Sequence, residues 1–375
     1  MRRSLIAFAA LMVFSGIAAI PGHAQYFGRN KVQYDSFDFK SIETEHFEVY
    51  FYDEERLASQ DASRMAERWY RRHSRTYLRE FKKRKPLILY ANDADFQQTN
   101  VIGGMIGQGT GGVTESLKER VVMPMTGLYA ETDHVLGHEL VHSFQYDIAL
   151  SRDDTTRFGL SLLPLWLIEG TAEYLSVGRD DPHTAMWLRD AALRDDLPTM
   201  DQLSKDYRYF PYRYGQAYMA YVGGKYGDAA VANIYKMGGR VGLDSALVYT
   251  LGITADSLSK EWITSIKDSY LPLTEGRAPA DSAGRAVLTK ETTGGDLSIA
   301  PSVSPDGKWV AFLSERDLFR INLFIADAET GRVVKKLKGA NSNPHFDAIR
   351  FISSAGSWSP DGRKFAFVTF VQGDN

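Results

Sequence analysis

The spacing of apolar positions changes character several times along the chain, and each change predicts an element. Behind Met1-Arg2-Arg3-Ser4 lies an apolar run from Leu5 to Ile20, followed by Pro21-Gly22-His23-Ala24-Gln25. A basic start, an apolar core and small residues before Gln25 predict a cleavable secretory leader over residues 1–24. The aromatic-rich pattern from Glu43 to Asp53 predicts a strand. Leu57, Met65, Ala66, Trp69, Tyr77 and Leu78 then recur at helical spacing and predict a helix from Glu54 to Phe81. Its polar side carries Arg71, Arg72, Arg75, Arg79, Lys82 and Lys83, a solvated face. Pro86-Leu87-Ile88-Leu89-Tyr90 predicts a second strand. Arg120-Val121-Val122-Met123-Pro124-Met125 predicts another, with Pro124 pointing to a sheet edge. Residues 101–117, between these two strands, are rich in glycine; no Gly-Lys-Ser/Thr follows, so they are not a phosphate loop.

From Asp133 the pattern is helical, and residues 182–275 alternate helical runs with short turns. Residues 276–290 are small, polar and rich in breakers, which predicts a linker. Beyond it apolar and polar residues alternate. Ser304-Pro305-Asp306-Gly307 recurs as Ser359-Pro360-Asp361-Gly362, each time ahead of an apolar strand. Proline second and glycine fourth suit a type I turn. Leu323–Asp327 and Arg332–Leu337 predict a hairpin over Ala328-Glu329-Thr330-Gly331. The expected architecture is α+β over residues 25–275, with an N-terminal mixed sheet and a helical C-terminal part. An all-β segment follows over residues 291–375.

The chain has 375 residues, of which 44% are hydrophobic and 24% charged, enough to bury a sizeable core and form two domains. A formal net charge of −3 argues against nucleic acid or an anionic membrane surface as partner. With no cysteine there is no disulfide framework and no thiolate metal ligand. No segment after the leader is long and apolar enough to span a bilayer, so the mature chain is expected to lie outside the cytoplasm with no transmembrane segment.

The candidate chemistry sits in His138-Glu139-Leu140-Val141-His142. Residues four apart share a helix face, so His138 and His142 can aim two imidazoles at one metal ion. Glu139 beside them can act as general base on a water at an open coordination position. Val135, Leu136, Leu140, Val141 and Phe144 make the helix apolar on most sides, and buried His and Glu need partners. A further histidine in the spacing H-E-x-x-H-x-x-G-x-x-H is absent, since Gln145 and Ile148 occupy those places. Glu169, opening the next helical run, completes a His2Glu set for one Zn2+ per chain. Glu173, one turn later, can hold a ligand imidazole in its tautomer. His134 precedes His138 by one turn, but three ligands at that repeat drift around a straight helix, so it is read as a packed or supporting histidine.

His138-Glu-Leu-Val-His142 followed by Trp166-Leu-Ile-Glu169-Gly-Thr-Ala-Glu173-Tyr174 resembles the gluzincin zinc metallopeptidases, in particular peptidase MA-like domains. The resemblance covers roughly residues 26–275. The intervening residues 143–168 are longer than in the clan's aminopeptidase branch, which argues against a plain aminopeptidase. The resemblance implies a secreted or cell-envelope hydrolase acting on a peptide or protein substrate. It also implies a tyrosine donor to the developing oxyanion, best matched by Tyr214 ahead of Gly215-Gln216-Ala217, with Tyr212 the runner-up. The clan's glycine-containing exopeptidase loop is loosely matched by Gly112 and Glu115, implying contacts to substrate. An edge strand beside the metal helix is implied to hold substrate backbone. The repeats after the linker resemble a TolB-like β-propeller, about one to two blades of it, implying a protein partner. A catalytically silent peptidase-like module that binds protein in the cell envelope is the alternative.

Overall fold

The computed structural model describes residues 31, 33–103, 106–107, 109–151, 158–278, 282–316, 321–337, 348–349 and 356–370. The leader expected over residues 1–24 lies outside them. Phe47, Val49 and Phe51 are buried while Glu48 and Tyr50 between them are half-buried, the alternation of a strand with one face on a core. That strand belongs to a mixed sheet of β1 (Lys40–Glu43), β2 (Phe47–Phe51), β3 (Lys85–Tyr90), β4 (Val113–Glu115) and β5 (Arg120–Pro124). Their order is β1-β2-β3-β5-β4, with β2, β3 and β5 parallel and the two outer strands antiparallel to their neighbours.

Two expectations change here. The edge strand next to β5 is β4, and β5 lies inside the sheet between β3 and β4. Pro124 is tolerated because it is the last residue of β5, beyond Val122, the last residue paired with β4. The helix expected to reach Phe81 is α1 (Arg56–Tyr77); it stops where Leu78 turns left-handed at φ 46°. Leu57 and Leu78, expected on the apolar face, are exposed.

The short α2 (Asp93–Phe96) leads into the glycine-rich stretch, and α3 (Tyr129–Ala149) follows the sheet. Gly137 lets α1 and α3 meet closely, because a Cβ there would stand 2.6 Å from the Trp69 ring. The helical part comprises α4 (Leu165–Val177), α5 (Pro182–Leu193), α6 (Met200–Lys205), α7 (Pro211–Tyr226), α8 (Asp228–Val241), α9 (Leu243–Leu251) and α10 (Ala255–Tyr270). One continuous core joins the sheet face and α1 to α3, α4, α7, α8 and α10, with Trp166, Tyr218, Tyr235 and Trp262 fully buried in it. No helix among the described residues is long and apolar enough to cross a membrane.

After α11 (Lys290–Thr293), strands β6 (Ser298–Val303), β7 (Trp309–Ser314), β8 (Asn322–Asp327) and β9 (Val333–Lys336) form an antiparallel sheet in chain order. The recurring motif makes the same turn twice. Gly307 N–H donates to Ser304 O and Gly362 N–H to Ser359 O, both at 2.9 Å. The Trp358 indole N–H donates to Ser302 O at 2.9 Å, tying the second copy to the first.

The tightest packing in the helical part is between α4 and α7. A Cβ on Gly170 would overlap the Gly215 backbone, and one on Gly215 would overlap Trp166 O. Gly215→Ala is expected to destabilise the chain by about 3 kcal/mol, because backbone and not a flexible side chain must yield. That corresponds to a melting temperature lower by roughly 6–12 °C. Gly224→Ala, on the same helix but facing open space, should leave the melting temperature unchanged or raise it.

Candidate metal centre

Helix α3 presents His138 and His142 one turn apart with Glu139 between, in a segment where Leu136, Leu140, Val141 and Phe144 are fully buried. Helix α4 supplies Glu169 from its first turns. His138 Nε2 and His142 Nε2 are 3.1 Å apart, and Glu169 Oε2 stands 3.3 Å from the first and 3.2 Å from the second. The three atoms belong to a group that could hold a metal ion. Facing imidazole nitrogens and a carboxylate oxygen are all acceptors unless a proton or a cation sits among them.

The electrostatics favour a cation at this point. Burial disfavours a charged His138, yet the Glu169 and Glu173 carboxylates outweigh it and hold its proton up to about 10. Burial raises both carboxyl groups, and the neighbouring histidines more than reverse it: His138 and His142 hold Glu169, and His134 and His138 hold Glu173, well below the usual carboxylate range.

The supporting contacts match part of the expectation. Glu173, one turn after Glu169, brings Oε1 to 3.1 Å from His138 Nδ1 and 3.3 Å from His134 Nε2. Both contacts are close enough for ion pairs but bent away from hydrogen-bond alignment. His134 thus packs beside Glu173 in a second His/Glu group and does not point at the first. Arg213 Nη1, 3.6 Å from Glu173 and 2.9 Å from Asp181, holds the carboxylate from behind. For His142 the partner is Gln145: Nδ1 and Gln145 Oε1 are 2.8 Å apart, and the Gln145 amide donates to Ile168 O at 3.1 Å. Sequence reasoning noted Gln145 only as a place where a ligand was missing; its position one turn after His142 was the available signal.

Glu139 is 6% exposed and is enclosed by the loop ahead of β4 and by β4 itself. The Thr114 hydroxyl lies 2.7 Å from Glu139 Oε2 and 2.9 Å from Glu139 O. A Cβ on Gly112 would stand 2.8 Å from Glu139 Cγ, so this glycine is needed where the backbone passes over the carboxylate. Gly112 is therefore at the site, in contact with Glu139. Glu115 is not: successive strand residues face opposite ways, and while Thr114 meets α3, Glu115 pairs with Arg120 at 2.8 Å. Thr114 was missed, because which face of β4 meets the helix follows from tertiary packing.

The two candidate tyrosines take different places. Tyr212, on the first turn of α7, stacks on His138 with ring centroids 5.9 Å apart and planes 15° from parallel. Tyr214 faces elsewhere, edge-on to Tyr209 at 5.6 Å and to Trp187 at 6.1 Å. Residues two apart on a helix point to nearly opposite sides, so only one of the two can face α3. Burial and the charges of Glu169, Glu139 and Glu173 raise the Tyr212 phenol above its ordinary value.

Comparison with protein-family models and with curated proteins finds no match. If Glu173 supports His138 as the geometry indicates, Glu173→Ala should weaken metal binding about 10–100-fold. Competition against a chromophoric chelator measures this; Glu115→Ala, away from the donors, should leave the affinity as it is.

Proposed function

We propose that the chain is a zinc-dependent metallopeptidase of the gluzincin, peptidase MA-like kind, hydrolysing peptide bonds outside the cytoplasm. The observation that carries the reading is the triangle of His138, His142 and Glu169 donor atoms, with edges of 3.1, 3.2 and 3.3 Å. Ligands about 2.0–2.1 Å from a tetrahedral zinc lie about 3.3–3.4 Å from each other, close to these edges, so the three residues would suit such an ion. Two imidazoles and one carboxylate leave the fourth corner open, the arrangement of a catalytic site and not a structural one.

Zinc held there supplies a Lewis acid and a water of lowered pKa. Glu139 then takes the proton of the attacking water and passes it to the departing amine. Thr114 fixes the carboxylate through Oε2, and Gly112 keeps the loop close enough to exclude bulk water from it. Tyr212, a phenol that is protonated at neutral pH, can donate a hydrogen bond to the oxygen on which charge develops. Gln145 and Glu173 hold His142 and His138 from behind. The four-stranded sheet with its repeated turn supports reading residues 291–375 as TolB-like propeller repeats, a surface suited to a protein partner.

Elemental analysis should find about one zinc per wild-type chain and a large loss in Glu169→Ala. Glu139→Gln should keep its zinc and lose cleavage of a peptide library. Tyr212→Phe should lower kcat about 10²–10³-fold, while Tyr214→Phe changes it little. A zinc-free wild type after zinc is supplied, or undiminished cleavage by Glu139→Gln, would overturn the reading.

A further inference from the structure

The aromatic rings at the metal centre do not stop at Tyr212. Tyr212 stacks on Phe210 with centroids 5.1 Å apart and planes at 25°, and Phe210 meets Trp187 on α5 at 5.7 Å. With His138 as the innermost rung, four rings run from a metal donor to solvent. The outer two are open to water: Phe210 is 43% exposed and Trp187 38%.

Phe210 packs on Tyr212 and Trp187 and still keeps much of its ring in water. It is the N-cap of α7, and its side chain makes no capping hydrogen bond. Ser, Thr, Asp or Asn there would satisfy a free N–H at the helix start. The chain thus leaves an aromatic ring half in water at this residue, separated from the His138 imidazole by the Tyr212 ring alone. Exposed aromatic rings adjoining a polar site are what a side-chain pocket offers a ligand.

We propose that Phe210 and Trp187 form a subsite for a large apolar or aromatic residue of the peptide substrate. The proposal rests on the peptidase reading and specifies its substrate class: peptides carrying such a residue to one side of the cleaved bond. Rungs of 5.9 and 5.1 Å put Phe210 at most about three residues of extended chain from the His138 ring, at about 3.3 Å per residue. The subsite selects the side chain, and the base and donors on α3 and α4 act on the backbone. Edge strand β4 lies on the Glu139 side of α3, where Thr114 meets that residue.

The test uses zinc-loaded Glu139→Gln protein, which binds peptide without turning it over. Fluorescein-labelled heptapeptides with Phe placed at each position in turn of a Gly/Ser background are titrated and followed by anisotropy. Phe at one or two neighbouring positions is expected to strengthen binding roughly tenfold or more over the unsubstituted peptide. Phe210→Ala and Trp187→Ala should each remove most of that gain and leave the affinity of the Gly/Ser peptide within about twofold. Both side chains are exposed, so the variants should fold, which their melting curves check. Absence of any position that prefers Phe, or a preference that survives both substitutions, overturns the subsite. So does a concentration-dependent dimer that both substitutions abolish while peptide affinity stays constant, since a second copy would then be the occupant. Failure of the peptidase reading looks different: zinc is not taken up and wild type cleaves nothing. In that case the anisotropy comparison, run without metal, still decides whether Phe210 and Trp187 hold an aromatic side chain.

Discussion

The candidate metal site depends on a contact that carries no chemistry of its own, the meeting of Gly170 and Gly215. Any side chain at either position would overlap the backbone of the other helix. With both absent, α4 and α7 lie close enough for residues flanking each glycine to converge on α3 from two directions. From α4 come Glu169 for the two Nε2 atoms and Glu173 for His138 Nδ1. From α7 come Tyr212, stacked on the same imidazole, and Arg213, behind Glu173. A wider crossing would leave one of these groups short of its partner by more than a hydrogen bond tolerates.

That closeness concentrates charge in a buried place. Glu139, Glu169 and Glu173 are largely sequestered from water, and isolated buried carboxylates are costly. Part of the compensation is intrinsic: Arg213 stands behind Glu173, bridging it to Asp181. The rest requires positive charge among the histidines, which explains why His138 is so strongly basic when a proton must serve. Thr114 adds a neutral donor to Glu139, so this carboxylate is oriented without being paired to a cation.

How much of this was legible in the sequence depended on whether the determining geometry is local. His138, Glu139 and His142 were readable because one helical turn fixes their relation whatever the tertiary structure. Glu169 and Glu173 followed from the same spacing, and the geometry brings both to the histidines. The choice between Tyr212 and Tyr214 is not local: both precede Gly215 on one helix and differ only in which side faces α3. Gly215 itself misled, since it serves the α4 crossing and marks no feature of Tyr214. Pro124 misled similarly, because proline is excluded from the interior of a ladder but not from the end of an inner strand. Glu115 was suggested by the loose resemblance of its glycine-containing loop, yet alternation along β4 lets only one of Thr114 and Glu115 meet α3, and Arg120 takes the other. The repeated Ser-Pro-Asp-Gly turn was readable twice over, since its hydrogen bonds close within a few residues.

His138, Glu139 and His142 belong to one rigid rod, while Glu169 belongs to another, joined to the first by packing and by side-chain contacts such as the Gln145 amide on Ile168 O. Two of the three donors and the base therefore keep their mutual distances however the two helices shift, and every such shift is taken up by the third donor. Glu169 thereby acts as the mechanical gauge of the molecule. A slight change in the seating of α4, transmitted from as far away as its crossing with α7, would register first as a lengthened or shortened arm of the triangle, before anything happens to the motif by which the site is recognised.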